Sequence, residues 1–255
     1  MSRIARFLGG AAPVALRATP RRYFGPDERP VRRGLGGLAF LLASVLASGA
    51  VAQATGDLGL VVERASGALL VVDQSERAAL GRIEGLGDLS HASLVYSPDE
   101  RFAYVFGRDG GLTKVDILER RIVARVMQAG NSIGGAISDD GRYVAVSNYE
   151  PGGVRVFDAE TLAPVADIPT GGKTIGLVDI PGTRFVFSLW DQGETWIADL
   201  SGASPQITKI KGMGENPYDA LVTGDGRTYI AGLFGADHLT ALDLWQDPPQ
   251  SKPIL

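Results

Sequence analysis

The chain has 255 residues, 45% hydrophobic and 21% charged, which is enough apolar sequence for a sizeable core. A formal net charge of −4 supplies no basic surface for phosphates and excludes a nucleic-acid binder. With no cysteine, disulfides, thiolate metal sites, covalent c-type haem attachment and a lipoprotein lipobox are excluded together.

The first segment reads as an address. Arg32-Arg33 precede an apolar run from Leu38 to Leu46, and Ala50-Val51-Ala52-Gln53-Ala54 follows. A basic stretch, a short apolar core and small residues at an A-x-A site describe a secretory signal peptide. The run falls short of the roughly 20 apolar residues a bilayer span needs, so no stable membrane span is expected; an uncleaved anchor is the alternative. The paired arginines also resemble a twin-arginine signal, although Val31 stands where that motif has Ser or Thr. Residues 1–54 are expected to be an N-terminal extension and signal peptide for export to the periplasm, and residues 55–255 the folded domain.

From there the sequence repeats. The turns Pro98-Asp99-Glu100-Arg101-Phe102, Asp139-Asp140-Gly141-Arg142-Tyr143, Pro181-Gly182-Thr183-Arg184-Phe185 and Gly224-Asp225-Gly226-Arg227-Thr228 align, and their arginines step by 41, 42 and 43 residues. A second marker is an apolar residue followed by Asp, at Asp73, Asp116, Asp158, Asp199 and Asp243, with steps of 43, 42, 41 and 44. Two markers holding one period indicate a tandem array. Each repeat contains short β-type runs bounded by Gly, Asp and Pro; in the second they are Ala92–Tyr96, Phe102–Phe106, Leu112–Ile117 and Ile122–Met127. Four antiparallel strands per period make a blade, so the fold class is all-β, a β-propeller of four-stranded blades.

The first repeat, from Leu58 to about Glu84, has three strands and lacks an innermost one, and the last is expected to stop as its outer strand begins near Lys252. This gives about four and a half blades. The sequence is therefore expected to be a truncated or fragmentary propeller that cannot close its ring, with a closed five-bladed ring as the alternative.

With strands lettered A to D from the axis outward, the D-to-A and B-to-C loops share one rim, and the repeated Arg turns lie on the other as structural features. The D-to-A loops carry His91, Asn131, Lys173 and Asn216; the B-to-C loops carry Arg108, Asn148 and Trp190. His91 aligns with Ser132, Thr174 and Pro217, so it breaks its own repeat at the mouth of the axial channel. An imidazole there could ligate an iron, shuttle a proton or be an ordinary surface residue. No second histidine stands at metal-ligand spacing, which argues against a zinc or non-haem iron site. Asp179 lies on an innermost strand where the aligned residues are Tyr96, Ile137 and Val222. An acid in that slot is costly without a partner or a role. It could be a proton acceptor, a hydrogen-bond partner inside the channel, or a cap on the Pro181-Gly182 turn.

The stretch Leu89-Ser90-His91-Ala92-Ser93-Leu94-Val95-Tyr96-Ser97-Pro98-Asp99, continued by Phe102 to Asp116, resembles the d1-haem domain family, as do Gly130 to Gly135 and Asn148 to Gly153. The resemblance covers residues 58–245 and leans toward members that act in haem d1 biosynthesis and lack a c-type haem domain. It implies an eight-bladed propeller with a flat tetrapyrrole, haem d1 or dihydro-haem d1, over the axial channel. His91 matches the family's iron-ligand position. Arg108 and Lys173 would meet the carboxylate arms of the macrocycle. Asn131, Asn148 and Asn216 would either donate to ring substituents or hold left-handed turns, and Trp190 would either stack on the ring or pack in the core. Asp179 is the candidate catalytic residue.

The function so implied is in haem d1 biosynthesis and nitrite reductase maturation during denitrification. Either the protein is an oxidoreductase on a late precursor, or it is a non-catalytic carrier of the haem. A propeller scaffold for protein partners is the more distant reading. The implied protein partners are the d1-type nitrite reductase and other maturation proteins.

Overall fold

The computed structural model describes residues 56–254. The segment read as extension and signal, residues 1–54, lies outside them. The described chain contains strands and turns and no helix, and every strand pairing is antiparallel.

The first sheet is β1 (Leu58–Glu63), β2 (Ala68–Asp73) and β3 (Ala78–Ile83). The second is β4 (Ser93–Tyr96), β5 (Phe102–Phe106), β6 (Gly111–Asp116) and β7 (Arg121–Met127). The third is β8 (Asn131–Ile137), β9 (Tyr143–Glu150), β10 (Val154–Asp158) and β11 (Pro164–Ile168). The fourth is β12 (Thr174–Ile180), β13 (Arg184–Leu189), β14 (Glu194–Asp199) and β15 (Gln206–Ile210). The fifth is β16 (Pro217–Val222), β17 (Thr228–Leu233), β18 (Leu239–Asp243) and β19 (Gln250–Ile254).

Each sheet is a blade of a β-propeller. The first strands of neighbouring four-stranded blades touch one another, β4 with β8, β8 with β12 and β12 with β16, so these are the inner strands. The first sheet has three strands, as its sequence predicts. The last blade departs from expectation. Its outer strand β19 is formed and pairs with β18 from Gln250 to Ile254, although the apolar pattern there is interrupted by Lys252 and Pro253. An outer strand faces solvent, so it needs backbone partners more than apolar side chains.

The middle strands are the most deeply buried, and their side chains form the packing between blades. Leu69 and Val71 of the first repeat, with Leu86 and Leu89 of the loop that follows it, pack on Val105 and Val115 of the second. Phe106 and Leu112 pack on Val144 and Val146; Val154 and Val156 on Phe185 and Phe187; Val186 and Ile197 on Tyr229 and Leu242. The second blade is also tied to the third by polar groups. The Tyr104 hydroxyl donates to the Ala159 carbonyl at 2.7 Å, and the buried Lys114 Nζ donates to the Ala159 and Glu160 carbonyls at 3.0 and 3.1 Å.

The two repeat markers have physical causes. In the A-to-B turns, a hydroxyl (Ser97, Ser138 or Thr223) accepts the N–H of Phe102, Tyr143 or Thr228 at 2.9 to 3.0 Å. Two residues after each hydroxyl, Asp99, Asp140 or Asp225 accepts the N–H of the turn arginine. The other aspartate ends each C strand and caps the following turn, accepting N–H bonds from Glu76, Glu119, Thr161, Ser201 and Trp245. In two blades the markers also meet each other, as ion pairs Arg101–Asp116 at 3.0 Å and Arg227–Asp243 at 2.7 Å. The fourth blade places Arg184 opposite Asp199, but the Arg184 Nε donates to the Pro181 carbonyl instead.

These bonds favour the charged carboxylates. Hydrogen bonding by Ser97 and Thr161 lowers the Asp99 and Asp158 pKa values, and that from Arg227 holds Asp243 down to about 2. Such groups bind protons more readily when unfolded. Their stabilisation is therefore full above the unfolded aspartate value of about 4 and is lost as pH falls toward the folded values. Urea denaturation at a series of pH values should show the midpoint holding down to about pH 5 and declining below it; a midpoint constant to about pH 3 would contradict this assignment.

Candidate functional site

The rim that carries His91 is built by one repeated backbone device. A residue just after a B strand donates its N–H to a carbonyl of the D-to-A loop: Arg108 to Asp88 at 2.8 Å, Trp190 to Lys173 at 3.0 Å and Phe234 to Asn216 at 3.0 Å. Arg108, Trp190 and Phe234 thus occupy equivalent positions on three blades.

The loop bearing His91 is firmly held. Leu86 and Leu89 are buried in the first interblade core, the Leu86 N–H donates to Gly67, and Asp109 accepts from Arg125 at 2.6 Å while Arg125 also reaches the Gly85 carbonyl. The Ser90 N–H donates to the Asp88 carboxylate at 2.8 Å. The bonds from Ser90, together with the charge of Arg108, keep the Asp88 carboxyl below its ordinary value. The His91 side chain is half-buried and has no hydrogen-bond partner among the described residues. Its ring nitrogens are available to a ligand.

Arg108 and Lys173 are exposed, with Lys173 Nζ 6.0 Å from the centre of the Trp190 ring. Trp190 does not pack in the core. It is half-buried in a rim cluster with Tyr218 (ring centres 5.5 Å apart, 80° between planes) and Phe234 (5.1 Å, 57°). Tyr218 and Phe234 lie edge to face at 4.8 Å, and Phe234 is 68% exposed. The Tyr149 and Tyr218 hydroxyls are 3.1 Å apart.

The three asparagines separate. Asn148 is a correction to the sequence reading: it is fully buried, and both ends of its amide are taken by Gln128 at 2.9 and 3.2 Å, so it braces the third blade instead of facing the mouth. Asn216 has a φ of 52° and donates to the Trp190 carbonyl at 3.2 Å, which is the turn-holding role. Asn131 keeps a buried Oδ1 without a hydrogen-bond partner among the described residues.

Asp179, the candidate catalytic residue, takes a separate place. It stands five residues beyond Thr174 along β12, about 16 Å at the rise of a strand, and so belongs to the opposite rim. There it lines a cavity of about 340 Å³ with Asp139, Pro181 and Asp225. Burial, reinforced by the charge of Asp139, pushes its carboxyl up. No hydrogen bond joins it to the Pro181-Gly182 turn; Arg184 serves that turn.

Sequence reasoning missed Tyr149, Tyr218, Phe234 and His238, which all lie on the His91 rim. Phe234 was recoverable, since it stands 44 residues after Trp190, one step of the same period. His238 ends the B-to-C loop that begins at Phe234. Tyr149 was recoverable in the same way, since it stands 41 residues after Arg108 and 41 before Trp190; Tyr218 carries no such signal, because its meeting with Tyr149 joins the third blade to the fifth.

Relatives agree with this architecture. The Cytochrome D1 heme domain model matches residues 53–252. The chain belongs to that family. It is 58% identical over 228 residues to protein NirF of Stutzerimonas stutzeri, covering 84% of this chain and 58% of that protein. To NirF of Pseudomonas aeruginosa it is 57% identical over 212 residues, covering 80% and 54%. The chain thus spans somewhat over half the length of these relatives. Among solved structures, dihydro-heme d1 dehydrogenase NirN in complex with DHE superposes with a TM-score of 0.67 at 26% identity, over 78% of this chain and 44% of that one.

The donor set fits an iron tetrapyrrole: an unpaired imidazole for the metal, two exposed cations for carboxylates and an aromatic wall for a flat ring. No group of three or more His, Cys, Asp or Glu side chains placed to hold a metal ion occurs among the described residues.

The rim depends on a buried brace beneath it. Gly176 has a φ of 59° in the bulge of β12, where a side chain would strike the Tyr218 carbonyl. The fully buried Tyr229 hydroxyl donates to the Gly176 carbonyl at 3.0 Å and bonds Ser188 at 2.8 Å. Tyr229→Phe is expected to lower stability by about 1–3 kcal/mol in urea denaturation, because it leaves the Gly176 carbonyl unpaired. An unchanged midpoint would show that the brace contributes nothing.

Proposed function

We propose that this chain is the tetrapyrrole-holding propeller of a haem d1 biosynthesis protein, acting on the d1-type haem or its dihydro precursor in nitrite reductase maturation. The observation that carries the reading is the unpaired imidazole of His91, on a braced loop beside the exposed Arg108, in a chain 58% identical to a NirF. His91 would ligate the iron, and Arg108 and Lys173 would take carboxylate arms. When bound, the iron macrocycle supplies whatever redox chemistry occurs; the protein supplies orientation and charge.

The placement of Asp179 favours holding over turnover. The acid expected to accept a proton lies at the far rim, while the His91 rim offers a metal ligand, cations and aromatic surface. The carrier reading is accordingly preferred to a dehydrogenase. Export to the periplasm by the Arg32-Arg33 signal would place the protein beside its client, the d1-type nitrite reductase. Among the described residues no helix is long and apolar enough to cross a membrane.

Spectroscopic titration with haem d1 and with its dihydro precursor tests the reading. His91→Ala should alter the Soret band of the complex and lower affinity. Arg108→Ala should leave the band in place and weaken binding by about 1.5 kcal/mol, the lower end for a bond to a charged group because the side chain is exposed. A band and affinity unchanged by His91→Ala would remove the ligand assignment. Conversion of the precursor in the presence of an electron acceptor would replace the carrier by an enzyme.

A further inference from the structure

The phenols of Tyr149 and Tyr218 come from the third and fifth blades and meet at 3.1 Å across the inner strand of the blade between them. That strand allows the approach because Gly176 lies against the Tyr218 backbone with no side chain to intervene. Two hydroxyls that share one hydrogen bond use only one of their two protons. Neither has a further protein acceptor among the described residues, so one O–H is left to donate outward. Tyr149 is the donor of the shared bond, and burial together with that bond raises its pKa and keeps it protonated, so the outward O–H is that of Tyr218.

The pair is rigidly presented. Tyr218 is held edge-on by Trp190 and Phe234, and Phe234 is itself fixed by backbone bonds from Phe234 to Asn216 and from Gly235 to Glu215. Arg108 lies near enough for its charge to act on the Tyr149 phenol. A fixed O–H beside a guanidinium, next to exposed aromatic surface, suits one ligand chemistry: a flat conjugated ring with a carboxylate at its edge.

We propose that the Tyr149–Tyr218 pair is a carboxylate-reading subsite, donating one phenol O–H to an acidic arm of the bound macrocycle while Phe234 contacts the ring. This rests on the functional reading above and adds two positioning residues and a ring contact to it.

The test uses the full chain and two probes, haem d1 and its methyl ester, read by Soret titration and Trp190 emission in a Trp196→Phe, Trp245→Phe background. Tyr218→Phe keeps the ring and removes the hydroxyl. It should weaken haem d1 binding about threefold to tenfold, the value of one hydrogen bond. The ester should bind the variant and the parent alike, and the iron-ligand band and thermal midpoint should hold. Phe234→Ala should weaken both probes equally. Tyr218→Phe binding haem d1 as tightly as the parent overturns the subsite. Equal weakening of acid and ester overturns it too, since a packing defect acts on both. No binding of haem d1 by the unsubstituted chain overturns the functional reading itself, and the subsite with it.

Discussion

A four-stranded antiparallel blade has two faces, and in this chain the middle strands are apolar on both. Phe106 and Leu112 face the third blade, while Val105 and Val115 of the same strands face the first. Neither face leaves water until a neighbour packs on it, so the blades stabilise one another as an array. Packing on both sides sets the pitch of the array and brings β4, β8, β12 and β16 side by side. Everything at the mouth of the channel depends on that convergence.

The two rims then have different duties. The A-to-B and C-to-D turns carry the aspartate caps and the Arg–Asp pairs, which recur because every blade must close the same turns. The opposite rim is closed mainly by backbone bonds from the B-to-C loop to the D-to-A loop. Backbone bonds place no demand on side chains, so that rim can carry Arg108 in one blade, Trp190 in another and Phe234 in a third. Repetition on one side frees variation on the other.

The inner strands make the mouth irregular. β8, β12 and β16 each contain a register shift near the His91 rim. A bulge bends its strand and re-aims the residues beside it. In β12 the bulge is braced from within by Tyr229 and Ser188, and this brace underlies the meeting of Tyr149 with Tyr218. The site is thus supported by buried polar groups one layer below it.

The amino-acid sequence by itself determined the period, the strand positions and the two turn markers, because each is a local demand met in every repeat. The strands of the second blade agree with the pattern to within a residue at each end. The rim that carries His91, Arg108, Lys173 and Trp190 also followed, since strand alternation fixes which loops share a side. Only the tertiary structure decided what those loops do together. Asn148 has the sequence position of a rim donor, but Gln128 occupies both ends of its amide. Asp179 has the position of a channel acid, but strand length puts it at the far rim. Tyr149 and Tyr218 lie 69 residues apart with no shared motif, and their contact exists because three blades converge on one axis. Local periodicity cannot encode such a contact, which is set by packing between blades rather than within one.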